Sequence, residues 1–278
     1  MADGTGNTPA RYETLSIRKD GQVDWVTLDR PDALNSMNPQ MVDELLDYFQ
    51  SLYMNNAVRV VVLKGAGRAF CAGLDLKDTS NRSDTSAIQT GPAAGLISQR
   101  RISDIVMRMR RCPQPVISLV HGPACGGGFA LALASDIRIA GESARMNAAF
   151  IRIGLSACDI GVSYFLPRLV GTSVASELML TGRFIRADRA LATGLVSEVV
   201  PDDRLEEAAR AYIEEMLTTA PLGLRLTKEC LNMSVDAGSL EAAVAMEDRN
   251  QILCAQTDDF AEGVRAFVEK RRPEYQDR

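Results

Sequence analysis

Two glycine-centred stretches are where this chain lays main-chain groups bare for chemistry. The first is KGAGRAFCAGLDLKD, residues 64 to 78, in which Gly65, Gly67 and Gly73 bracket the apolar piece Ala69-Phe70-Cys71. The second is HGPACGGGFALALASDIRI, residues 121 to 139, in which Gly126, Gly127 and Gly128 follow the apolar run PVISLV and precede FALALAS. That second pattern reads as strand, tight turn, helix. A helix starting there presents N–H groups without intrahelical partners and a partial positive charge. Such a terminus holds an anion, or an oxygen that becomes anionic during a reaction. The same glycines equally serve close packing.

His121 is the single histidine; it precedes Gly122-Pro123 at a strand end and reads as structural. Cysteines stand at 71, 112, 125, 158, 230 and 254 without a C-x-x-C pair. They read as reduced, mostly buried thiols rather than zinc ligands or disulfides. Cys71 and Cys125 lie beside the glycines, which raises the question of reactivity. Asp136 and Glu142 read as caps or ion pairs, and Tyr164 as either a pocket hydroxyl or a packing residue.

The surrounding elements follow from periodicity and turn residues. VDWVTLD, residues 23 to 29, reads as a strand, and Pro31, Asp32 and Asn35 mark a loop. Asn38-Pro39 is a helix start, with Asn as N-cap and Pro in the first turn. Val42, Leu45, Leu46, Phe49 and Leu52 then recur at helical spacing. Val58 to Leu63 is a near-continuous β-branched run, as in a strand covered on both faces. Strand, helix, strand implies a parallel crossover. Residues 79 to 95 are rich in Ser, Thr, Asp and Gly and read as a loop; an Arg-studded helix through Ile97 and Met109 follows. A short strand is expected near Arg145 and Met146, a helix from about Gly161, and a strand at Leu195 to Val200. From Pro201 the pattern is helical, with starts near Leu205, Pro221, Ser239 and Thr257.

Composition limits the function classes. The 278 residues are 46% hydrophobic and 24% charged, with net charge -5, as in an ordinary globular protein. The acidic balance argues against nucleic acid as a partner. No run is long enough to span a bilayer. The polar, Gly-rich opening MADGTGNTPAR has no apolar signal-peptide region and reads as a disordered lead-in, residues 1 to 11.

AFCAGLD at 69 to 75 and HGPACGGGFALALASDIRIA at 121 to 140, with LDRPDALNSMN at 28 to 38 and ATGLVSEVV at 192 to 200, resemble the crotonase superfamily, enoyl-CoA hydratases and isomerases. The likeness covers the chain from about Tyr12 to the FVEKRRPEY at 267 to 275. It implies an α/β fold: a crotonase-like ββα spiral core over residues 12 to 200 and a C-terminal helical trimerisation segment over 201 to 278. It implies an acyl-CoA thioester substrate with no metal or separate cofactor, a homotrimer or dimer of trimers, and a cytoplasmic lyase or isomerase. By position, the N–H groups of Ala72 and Gly127 would form the oxyanion hole. CoA would run past Ala33, Leu34, Ala72 and Leu74, and Phe267 and Lys270 fall where a neighbouring subunit completes the nucleotide site.

At the two positions where the superfamily's hydratases carry glutamates, this chain has Ala130 and Phe150. Asp159, in GLSACDIGVSYFLPRLVG, remains. Its context resembles the loops of dienoyl-CoA isomerases, where such an Asp moves a proton, and of 4-chlorobenzoyl-CoA dehalogenases, where it is a nucleophile. The dehalogenases' additional His has no counterpart here. Two readings of Asp159 stand: the acid/base, or an Asx turn or cap before the helix near Gly161. Two readings of the chain stand as well: an enolate-stabilising acyl-CoA enzyme, or a catalytically silent acyl-CoA binder or scaffold.

Overall fold

The computed structural model describes residues 12–80 and 91–278. The lead-in 1–11 and the middle of the Ser/Thr/Asp-rich stretch, 81–90, lie outside the described residues. The chain opens with β1 (Leu15–Asp20) and β2 (Val23–Leu28), then α1 (Pro39–Leu52), β3 (Val60–Gly65), α2 (Leu76–Ser80) and α3 (Pro92–Arg111). Next come β4 (Val116–Val120), β5 (Pro123–Cys125), α4 (Gly127–Ala134), β6 (Ile137–Gly141), β7 (Arg145–Asn147) and α5 (Val162–Thr181). The second half adds β8 (Ile185–Arg186), α6 (Ala187–Ala192), β9 (Glu198–Val200), and α7 (Leu205–Leu217), α8 (Pro221–Ser234), α9 (Leu240–Ala255) and α10 (Asp258–Glu269).

One sheet has the order β1-β2-β3-β4-β6-β9 and a small second sheet has β5-β7-β8. From β2 onward the large sheet is parallel; β1 alone runs antiparallel, against β2. The β1–β2 hairpin was not expected from periodicity. Asp20-Gly21 turns it, with Gly21 at φ +60°, a conformation that suits glycine. The expected helix start is borne out: Asn38 Oδ1 accepts the Met41 N–H at 3.0 Å. The loop expected at 79 to 95 is helical at both ends, since α2 reaches Ser80 and α3 begins at Pro92; its middle lies outside the described residues.

The β-branched run of β3 is buried on both faces, as its lack of alternation required. Val61 and Leu63 join the large core with α1 and α3, while Val60 and Val62 join a second cluster with Trp25, Ile117 and Ile139. Leu205, Ala209 and Ile213 of α7 close that second face. Helix α9, in contrast, buries no residue within the chain, and Leu240, Ile252 and Leu253 on it are exposed. Phe260, Val264, Phe267 and Val268 of α10 are exposed too.

Candidate active site

The two glycine stretches meet backbone to backbone. Cys71 N–H donates to Pro123 O at 3.2 Å and Cys71 O accepts from Cys125 N–H at 2.9 Å, so the 69–75 strand lies along β5. Gly126 (φ 51°, ψ −116°) then turns the chain into α4, in a region only glycine occupies freely. The turn is held by Gly126 N–H donating to Asn147 O at 3.0 Å. At Gly128 a Cβ would stand 2.7 Å from Cys71 Cβ and closer still to Cys71 O. Gly73, at φ +102°, leaves room for Cys125 O, and a Cβ there would sit 3.5 Å from Gly127 N. These glycines let two main chains approach closely.

The N–H inventory corrects one expectation. Ala72 N–H is not free, because it donates to Leu34 O at 2.9 Å. Leu34 sits at φ +52°, which turns its carbonyl onto the strand. Three residues on, Met37 bridges the strand by accepting from Asp75 N–H at 3.0 Å and donating to Gly73 O at 2.7 Å. Leu74, between those bonds, has an N–H with no acceptor among the described residues, and so has Gly127 at the first position of α4. The free pair beside the Gly73–Gly127 contact is therefore Leu74 and Gly127. The resemblance had assigned Ala72; Leu74 has the same parity along the strand, and the position of the Leu34 carbonyl separates the two.

Asn35 ties this region together. It is fully buried at φ +55°. Its Oδ1 accepts from Arg30 N–H at 2.9 Å and its Nδ2 donates to Ala66 O and Ala69 O, each at 2.8 Å. The residue thus joins the Pro31–Leu34 loop to the first glycine stretch. Sequence reading marked it only as a loop residue. Asn35→Ala should destabilise the protein by about 2 kcal/mol, since it strands buried carbonyls and removes the side chain that tolerates this backbone. Urea unfolding checks this.

Asp159 approaches from the other side. Its neighbour Ile160 is buried at φ +46°, and Ile160 Cδ1 would be 3.6 Å from a Cβ on Gly127. A β-branched residue in this region is strained, by about 1–3 kcal/mol. Gly161 follows at φ +83° and is the N-cap of α5 with no side chain capping it, so Asp159 does not serve as the cap. Its half-buried carboxyl instead accepts from Gln99 Nε2 of α3. Burial pushes its pKa above the ordinary aspartate value, against the opposing pull of the Ile160 N–H and Gln99.

The remaining wall is apolar. Ala130 is fully buried, and the Phe150 ring lies 3.4 Å from where a Gly126 Cβ would be. Met37 Cε covers Gly127. Other candidate acids are engaged elsewhere: Asp75 pairs with Arg30 at 2.9 Å, and Asp136 with Lys228 at 2.9 Å and Arg110 at 3.2 Å. His121 Nε2 meets Gly67 O at 2.9 Å. Tyr164 OH donates to Asp236, away from any pocket role. Burial pushes the Cys71 thiol up to about 12 and Cys125 up to about 11, so neither is a ready thiolate.

Ala33 and Leu34 lie on and just after a short turn, Pro31–Ala33. Pro31 touches Gly67, which lines a cavity of about 840 Å³ with Arg68, His121 and Arg145 at the ends of β3 and β4. Phe267 (86% exposed) and Lys270 are on and just beyond α10, and the chain does not bring them to this site.

A parallel sheet whose strand ends feed two glycine turns, with apposed free N–H groups, defines the crotonase-like class of α/β fold. The enoyl-CoA hydratase/isomerase model matches residues 18–278, and the chain belongs to that family. It is 42% identical to the probable enoyl-CoA hydratase EchA12 of Mycobacterium tuberculosis, over 92% of this chain and 90% of that one. It is 36% identical to the 1,2-epoxyphenylacetyl-CoA isomerase of Escherichia coli, over 90% and 93% of the two chains. Among solved structures, the enoyl-CoA hydratase of Bacillus anthracis superposes with a TM-score of 0.89 at 33% identity, covering 96% of this chain and all of that one.

Proposed function

We propose that this protein is an acyl-CoA double-bond isomerase that holds a thioester enolate between the N–H groups of Leu74 and Gly127 and moves the proton with Asp159. The carrying observation is an acid of raised pKa whose neighbour Ile160 packs toward Gly127, where two N–H groups have no acceptor among the described residues and Ala130 and Phe150 make the wall apolar. In a 3-enoyl thioester the carboxylate takes a proton from C2. The C2–H electrons form the dienolate, whose charge rests on the thioester oxygen. The protonated carboxyl then returns the proton to C4, leaving the double bond between C2 and C3. Each oxyanion donor contributes about 3–4 kcal/mol in comparable sites. Hydration needs a second group to hold and activate water, and Ala130 and Phe150 supply none. The name of the E. coli relative points to isomerisation as well.

The coenzyme runs along Ala33, Leu34, Ala72 and Leu74. Arg68, without an ion pair among the described residues, lies beside that loop for the phosphates. The exposed apolar faces of α9 and α10 become subunit contacts in a homotrimer or dimer of trimers, which brings Phe267 and Lys270 of one subunit toward another's CoA. The reaction draws only on main-chain donors and one carboxyl. No described helix is long and apolar enough to cross a membrane, and we place the enzyme in the cytoplasm. The alternative of a silent binder is disfavoured by Asp159, whose environment suits proton transfer.

The test uses trans-3-hexenoyl-CoA in D2O. Formation of the 2-enoyl ester is expected, with the C2 proton delivered to C4 and deuterium entering there only as far as the carboxyl exchanges with solvent between the two transfers, and with hydration at least about 100-fold slower. Hydration as fast as isomerisation would sink this reading. The rate should fall as pH drops through the Asp159 pKa, at a midpoint above ordinary aspartate, because only the carboxylate abstracts a proton. For the assembly, sedimentation should give about three or six times the 30.2 kDa chain mass. Ile252→Glu with Leu253→Glu should give monomers; unchanged mass would refute the assigned surface.

A further inference from the structure

One turn of α3 reaches both halves of the site. Ser98 and Ile102 line a small cavity of about 40 Å³ with Met37 and Leu74. Gln99, in that same turn, donates from Nε2 to Asp159 Oδ1, 60 residues away in sequence. It is the side-chain partner of that carboxyl among the described residues. The geometry points to Gln99 as a positioning residue for Asp159: its amide fixes the carboxyl rotamer and reserves Oδ1, leaving Oδ2 to receive and return the substrate proton. This inference rests on the acid/base reading of Asp159 given above.

An amide N–H donates and cannot accept, so the oxygen facing it cannot carry a proton directed at it. The proton taken from substrate therefore resides on Oδ2. The Asp159 backbone is fixed independently by the left-handed Ile160 and Gly161 and by Val162 N–H donating to Asp159 O at 2.9 Å. With the backbone pinned on one side and Oδ1 held on the other, the second oxygen keeps one direction through the catalytic cycle. Neighbouring charges leave this arrangement alone. On α3, Arg101 is engaged by Asp43 and Arg100 is exposed; Arg152 of the preceding turn packs on Gly182; Arg168 of α5 is held by Asp236. Cys158 beside Asp159 is exposed. Burial, the Ile160 N–H and Gln99 are what act on the carboxyl.

The test follows the Asp159 carboxyl by 13C NMR in full-length protein labelled at aspartate, with its signal assigned through Asp159→Asn, alongside the pH profile for trans-3-hexenoyl-CoA. Gln99→Met keeps the length of the side chain and removes the donor. The titration midpoint and the acid limb of kcat/KM should both rise by about one pH unit. The maximal kcat should fall about tenfold with KM within about twofold. Gln99→Glu, isosteric with the native residue, places a second carboxyl against Oδ1 and should raise the midpoint further. A residue that merely packs would alter stability without moving the midpoint. Unmoved midpoints in both variants, with Asp159→Asn inactive, overturn the role of Gln99 and leave the reaction assignment standing. Wild-type turnover in Asp159→Asn overturns that assignment and this inference with it.

Discussion

Asp159→Asn should lower kcat for isomerisation about 10³-fold while leaving the affinity for the CoA ester within about twofold. The loss is confined to the proton transfer, because Asn has nearly the same shape, still accepts from Gln99 Nε2, and leaves the Leu74 and Gly127 N–H groups in place. Solvent deuterium exchange into bound acyl-CoA should vanish with it. Stability should move the other way. Burial raises the folded-state pKa of Asp159 above its unfolded value, so at neutral pH the folded state carries a charge it disfavours. That disfavour is fully present above the folded pKa and disappears below the unfolded one. Asn removes it, so the variant should melt no lower than wild type at pH 7, and the two should converge as pH falls below both values. Retained turnover would return Asp159 to a structural role.

Gly128→Ala should be the most damaging single-methyl change near the site. The added Cβ would stand 2.7 Å from Cys71 Cβ and 2.8 Å from the Cys71 carbonyl carbon. Cys71 cannot yield, since its N–H and C=O are both committed to the 123–125 strand. Relief must come from α4 lifting away, which is buried along its whole length. A loss of about 3 kcal/mol is expected. The same displacement moves the Gly127 N–H, so the fraction that remains folded should be slower by about 10². Gly127→Ala is the control. Its Cβ meets the Met37 methyl, the free end of a flexible side chain, and Ile160 Cδ1 only at 3.6 Å. It should cost about 1 kcal/mol or less and act mainly by crowding the thioester. Equal unfolding midpoints for the two variants would refute the close approach at Gly128.

Much of the scaffold is fixed by local chemistry and so was open to sequence reading. The Asn38-Pro39 start of α1, the uniformly apolar β3, the Gly-led entry into α4 and the Thr257 cap of α10 all arise from residues within a few positions of one another. The pairing of the two glycine stretches was legible only through the family resemblance, since the glycines taken alone serve close packing equally. The β1–β2 hairpin was missed because β1 is an edge strand, mostly exposed beyond Leu15, which blurs the alternation that marks a strand. Helix α2, ending at Ser80, and the start of α3 at Pro92 were hidden by polar, turn-rich composition.

What sequence by itself determined is the family, the chemistry of the glycine turns, and the one acid left in the loop after Phe150. Tertiary structure alone decided which donors are free: the Leu34 carbonyl, swung by a left-handed residue, takes the Ala72 N–H and leaves that of Leu74. It decided also that Gln99 meets Asp159, and that Asn35 joins two loops from a buried left-handed turn. Phe267 and Lys270 remain apart from the site within one chain, since α10 packs at the C-terminal end. The physical reason is common to these cases. Hydrogen-bond partners are assigned by where main chains cross in space, and crossings between residues 34 and 72, or 99 and 159, leave no periodic trace in the chain.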